Sequence, residues 1–228
     1  MAADLLDTAR DFLVLSSQGK LNHQETIHPW RKDWEFAVLH SLRVEQYVLK
    51  ILNREQHRLT ETEIHLLRLA AILHDIARLD QRDNHALLGA TVARNWLQAH
   101  ANRSFTADEI DRIVEMIAVH SDKAGGDTDY CRAVLKDADT LDEIGVMSVF
   151  MASNWLDARS PFFFNGLLQR LVDFELPFCD KKMAILNTDG ARAILKEKRE
   201  FIQRVIEQLT DELQLDGSIE RRLLQSRT

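Results

Sequence analysis

Four histidines interrupt apolar stretches of this chain: His40 follows FAVL, His74 follows AAIL, His85 precedes ALLGA and His120 follows MIAV. An imidazole in such surroundings needs partners, because burying a polar ring without them costs free energy. Any one of the four is most simply a hydrogen-bonded core histidine. Taken together, with Asp75 beside His74 and Asp139 in the acidic run DADTLDE, they supply the neutral nitrogens and anionic oxygens that zinc, manganese or iron prefer. A buried carboxylate such as Asp75 also needs a positive partner, and a divalent cation provides one. The other histidines, His23, His28, His57, His65 and His100, stand in polar or loop surroundings and read as solvated surface residues.

The elements that must position these groups are helices. Leu5, Leu6, Ala9, Phe12, Leu13 and Leu15 recur at helical spacing from residue 3 to about 17. A second helix is predicted over about 33–53, with His40 in its apolar half. Thr60-x-x-Glu63 and Thr106-x-x-Glu109 have the form of capping boxes, opening helices to about 79 and 120; between them a helix covers 85 to about 99. Further helices are expected from Tyr130 towards Asp139, with a break near it, and over PFFFNGLLQRLVDFEL, which Pro177 ends. Residues 181–213 should form one or two helices, followed by a frayed tail from Gly217. Neighbouring helix residues point about 100° apart, so His74 and Asp75 reach one ion only over the edge between them. The remaining ligands must come from other helices, which couples folding to metal binding.

Composition supports an all-α protein. Three prolines and eight glycines among 228 residues leave few breakers, and no linker divides the chain, so a single domain over 1–228 is expected. The net charge of -7 and the absence of a basic cluster argue against duplex nucleic acid, although a bound cation can reverse the field inside one pocket. Cys131 and Cys179 form no CxxC pair, and neither a basic leader nor a membrane-length apolar run is present, so a cytoplasmic protein is expected.

The segment ILHDIAR, with an upstream His in LHSLRV and a downstream Asp in VLKDADTLDEIG, resembles the HD-domain metal-dependent phosphohydrolases over roughly residues 33–151. The downstream helices resemble the small single-domain bacterial branch. The resemblance implies an all-helical HD-type bundle with His40, His74, Asp75 and Asp139 as metal ligands, Asp139 being preferred to Asp137. His85 and His120 resemble the extra histidines of two-metal members, which implies a second metal or a phosphate contact; hydrogen-bonded histidines lining the cleft are the alternative. One or two divalent ions are implied, with Mn, Mg, Zn, Fe, Co and Ni all open.

Around that core, Arg78 falls three residues after Asp75 and could meet a phosphate. The nucleoside-monophosphatase group of the family has Glu there, the cyclic-dinucleotide phosphodiesterases a basic residue, but the Gly-Tyr-Pro signature of the latter is missing, so the substrate stays open. Arg43 matches the family's His-x-x-Arg-Val and serves either a carboxylate or a phosphate. Lys123 and Lys136 could face an anion but are more simply solvated lysines, and Asp137 and Asp142 read as helix-surface groups or partners of the ligands. Trp96, Trp155 and Phe162 to Phe164 read as core before they read as a base-stacking pocket. The expected activity is hydrolysis of a phosphate ester or phosphodiester of a small molecule, a nucleotide first among them, by metal-activated water. The rivals are a di-iron oxygenase on the same fold and a non-catalytic nucleotide-binding protein; no membrane partner is expected, and a homodimer is left open.

Overall fold

The computed structural model describes residues 2–21, 27–81, 83–101 and 104–213, so His23 and the tail from Gly217 lie outside the described residues. The chain is all-α: among the described residues no strand forms, and a single isolated bridge joins Leu21 to Asp33. No described helix is long and apolar enough to cross a membrane.

The chain divides into two compact units. The first comprises residues 1–142 and 182–194 and contains α1 (Ala2–Ser17), α2 (Trp34–Leu52), α3 (Glu61–Leu73), α4 (His85–His100), α5 (Ala107–Val119) and α6 (Tyr130–Leu141). Helix α3 is its centre. Leu66, Leu67, Leu69, Ala70, Ala71, Ile72 and Leu73 are all buried, so apolar side chains cover every face of its second half, as a helix surrounded by others requires. It packs against α1, α2, α5 and α6, which bury Leu13, Val44, Val48, Ile113, Ile117 and Leu135 in the same unit. Both expected capping boxes form. Thr60 and Thr106 each accept a bond from the amide three residues on, and Glu63 and Glu109 each accept one from the cap residue's own amide. One buried charge ties three helices: Glu45 of α2 takes Arg10 of α1 at 2.7 Å and Arg68 of α3 at 2.7 Å, a partnered carboxylate rather than an orphan.

Helix α3 stops six residues short of the expected end. His74 is its C-cap, and the chain continues through tight turns in which Ile76 N–H bonds to Leu73 and Arg78 N–H to Asp75. The HD pair therefore sits at the junction between a helix and the tight turns that follow it.

The second unit comprises residues 143–181 and 195–228. It holds α7 (Val146–Ala152), α8 (Phe163–Arg170), a wider π-type turn over Leu171–Glu175, most of α9 (Leu176–Met183) and the later part of α10 (Asp189–Glu212). Pro177 does not end a helix as expected. It is the second residue of α9, which follows α8 and the π turn without a break, so the widened turn before it is what accommodates a residue with no N–H. The aromatic residues here are also less buried than expected: Trp155 is 56% and Phe164 57% exposed, whereas Trp96, in the first unit, is buried against Phe12.

Candidate metal centre

The HD residues converge within the first unit. His40 Nε2 of α2 lies 3.3 Å from His74 Nε2, 3.6 Å from Asp75 Oδ2 and 3.2 Å from Asp139 Oδ1 of α6. His74 Nε2 is 3.8 Å from Asp75 Oδ2 and 3.9 Å from Asp139 Oδ1. On the other side of Asp75, Oδ1 faces His85 Nε2 at 3.2 Å and His120 Nε2 at 3.3 Å. The carboxylate thus stands between two pairs of imidazoles, one oxygen towards each.

Local structure fixes which nitrogen of each ring faces inward. His74 and His120 are the C-cap residues of α3 and α5, and each donates Nδ1–H to the carbonyl three residues earlier, to Ala71 at 2.8 Å and Ile117 at 2.7 Å. That bond satisfies a helix-end carbonyl and leaves an Nε2 lone pair pointing into the cluster. His40 is held from outside by Asp142, whose Oδ2 accepts from Nδ1 at 2.7 Å. Arg43 in turn grips Asp142 through Nε and Nη2 at 2.8 and 2.9 Å.

The charges follow from this arrangement. Burial works against His40's charge, but the hydrogen bonds to Asp139 and Asp142 outweigh it and raise the imidazole from 6.5 to about 10. Burial lowers His74 to about 4, against the pull of Asp75 and Asp139. Asp75 and Asp139 are held well below the usual carboxylate range: burial opposes their charge, yet His74 and Lys123, respectively, lead the groups that favour it. A proton on His40 therefore serves where a cation would.

The donors fit a metal. First-row ions bind nitrogen and oxygen at about 2.0–2.2 Å, which sets neighbouring donors roughly 3–3.5 Å apart. Asp75 Oδ1 is the sharpest indication: it is buried and, among the described residues, no donor meets it with hydrogen-bond geometry. Its neighbour His120 has already spent Nδ1–H on Ile117, so two lone pairs confront each other across 3.3 Å unless a positive charge lies between them.

Of the surrounding cations, Lys123 pairs with Asp139 Oδ2 and donates to the Lys136 carbonyl at 3.2 Å. Arg78 lies against His85, its Nη1 3.1 Å from Nε2. Arg43 meets the carboxylate of Asp142 rather than Asp139. Lys136 turns away to Asp127 at 2.8 Å. Asp137 is neither at the surface nor beside the ligands: it is buried and takes the amides and side chains of Asn187 and Thr188, anchoring the start of α10. His28, expected in solvent, is 5% exposed and stacks on Trp30.

In the sequence Asp142 is open as a helix-surface group or a partner of the ligands, and Lys182 carries no sign of a role. Asp142 lies at the end of α6, three residues past Asp139, and the spacing alone does not say that it meets His40. Lys182 lies close enough to Lys123 and Asp139 for both to act on its charge, with burial the larger influence lowering its pKa.

Comparisons with known proteins bear on this cluster. The HD domain model matches residues 38–144, a span containing all four expected ligands together with His85, His120 and Asp142. No curated protein matches the sequence. Among solved structures, YpgQ of Bacillus subtilis in complex with ADP is similar at 21% identity and TM-score 0.58, over 93% of this chain and 97% of that one. A predicted HD superfamily hydrolase from an uncultured Thermotogales bacterium aligns at 18% identity and TM-score 0.61, covering 91% and 92%. The Lin1889 protein of Listeria innocua aligns at 20% and 0.56, covering 95% and 99%. At such identities the likeness speaks to the fold, whereas the family model speaks to the sequence. Over residues 38–144, just under half of its length, the chain matches the HD domain.

Proposed function

We propose that the protein is a metal-dependent phosphohydrolase that cleaves a phosphate ester or phosphodiester of a small molecule, a nucleotide being the favoured substrate. The observation that carries this reading is Asp75, whose two oxygens face separate imidazole pairs and whose Oδ1 is buried without a hydrogen bond among the described residues. His40, His74, Asp75 and Asp139 would hold one divalent ion, and Asp75, His85 and His120 would hold a second. An ion held there polarises a phosphoryl oxygen and lowers the pKa of water towards neutrality.

The chain's own side chains supply the rest. Lys123 and Arg78 stand at opposite ends of the cluster, on Asp139 and on His85, where each can accept negative charge from a phosphate. Asp142 and Arg43 keep His40 oriented. The nucleotide preference draws on the ADP bound to the similarly folded YpgQ. This cationic surround also favours an anionic substrate over dioxygen, and so favours hydrolysis over the di-iron oxygenase alternative. Metal analysis followed by a turnover screen of nucleotides and simple phosphate esters tests the reading. Release of phosphate or of a phosphorylated fragment, dependent on added divalent metal, supports it, and oxygen consumption by an iron-loaded protein without phosphate release would overturn it.

A further inference from the structure

The 3-10 turn Pro29–Lys32 precedes α2 and lies outside the span matched by the family model. Its Arg31 points at α2. The Arg31 guanidinium carbon is 5.9 Å from the centroid of the Phe36 ring, and that of Arg43 is 5.3 Å from the same centroid. Phe36 and His40 are one helical turn apart on one face, so both guanidinium groups stand over a ring one turn from an expected metal ligand. Arg43 has Asp142 as counter-charge, and Asp142 also serves His40. Burial is the largest influence lowering the pKa of Arg31, followed by the opposing pull of the same Asp142 and then by the positive charges of Arg43 and Arg78. Such an arrangement suits an added anion.

Beside it opens a cleft of about 630 Å³, lined among others by Trp30, Trp34, Phe36 and Leu39. Its size suits a small molecule and its aromatic walls suit a planar ring. Asp33 and Glu35 also line it, together with Lys20, whose ammonium is already paired with Asp80 at 2.7 Å; the two carboxylates disfavour a phosphate in the cleft itself and set the anionic end of a ligand towards the arginines.

We propose that Arg31 is a substrate-binding residue: with Arg43, over the same Phe36 ring, it holds an anionic group of a nucleotide whose base lies against Trp30 and Trp34. This inference rests on the phosphohydrolase reading, and it assigns the substrate's direction along α2, phosphate towards His40 and base towards the start of the helix.

The test is calorimetric titration of the metal-loaded full-length protein with ADP, adenosine and inorganic phosphate. Arg31→Gln should weaken ADP by about tenfold or more, the loss expected for a hydrogen bond to a charged group, while adenosine affinity and metal content stay unchanged. Arg31→Lys, which keeps the charge but not the fork, should fall between. Trp34→Leu should weaken ADP and adenosine alike. Unchanged ADP affinity in Arg31→Gln with metal in place overturns the assignment while leaving the hydrolase reading intact, and so does wild-type binding of ADP no tighter than adenosine. Absence of metal or turnover in the wild type is instead the failure of the hydrolase reading.

Discussion

His40 Nδ1 donates a 2.7 Å hydrogen bond to Asp142 Oδ2, joining the middle of α2 to the residue that ends α6. The bond fixes the ring so that Nε2 faces His74, Asp75 and Asp139, and Arg43 holds the carboxylate from its other side. Partners of this kind govern a ligand's basicity and direction as much as the ligand itself does.

Asp142→Asn should therefore lower metal affinity by about tenfold to a hundredfold without unfolding the protein. Competition with a chromogenic chelator measures this, and an affinity equal to the wild type would show that the bond does not orient His40.

Asp75→Ala removes the carboxylate shared by both imidazole pairs. Purified in parallel with the wild type, the variant should retain its helical circular dichroism and lose metal and turnover together. His85→Ala is expected to spare the ion held by His40, His74 and Asp139 and to lose the other, reducing metal content without abolishing it.

Metal binding should depend on pH through His40. Its folded pKa, about 10, lies above the ordinary 6.5, so in the metal-free protein the stabilisation from its proton is complete below about 6.5 and lost as pH rises through 10. A metal must displace that proton, so between these values apparent affinity should rise by up to about tenfold per pH unit and uptake should release about one proton from this residue. Titration in buffers of different ionisation enthalpy counts the protons. A pH-independent affinity over the same range would contradict the assignment.

Gly190 marks a close approach in the first unit: a Cβ there would stand 2.7 Å from the Ile51 carbonyl and 2.9 Å from Glu55, which caps the Gly190 amide. Gly190→Ala should destabilise the protein by about 1–3 kcal/mol, measured by urea unfolding, because the nearest atom is backbone and cannot swing aside.

What the sequence disclosed was mostly local. The capping boxes at Thr60 and Thr106 and the motif order His40, His74-Asp75, Asp139 could be read directly, since each depends on neighbours in the chain or on a pattern of fixed order. The end of α3 was not legible. LLRLAAILHDIA carries helical periodicity through Ile76, and it is the satisfaction of the helix end by His74 and the 3-10 bonds beyond it that stops the helix at Leu73. Asp142 and Asp137 look alike in sequence, yet one meets His40 and the other anchors Asn187 and Thr188; both contacts are long-range and leave no periodic trace. Pro177 was read as a helix end because the π turn before it, which lets the helix run on past the ring, has no sequence signature as plain as proline itself.

The central claim is that Asp75 shares its two oxygens between cations. The most direct measurement is an anomalous difference map from crystals grown with manganese, collected at the manganese absorption edge. A peak is expected bounded by His40, His74, Asp75 and Asp139, and a second between Asp75, His85 and His120 once that site is filled. A map in which manganese binds elsewhere, with the cluster around Asp75 bare at saturating metal, would contradict it.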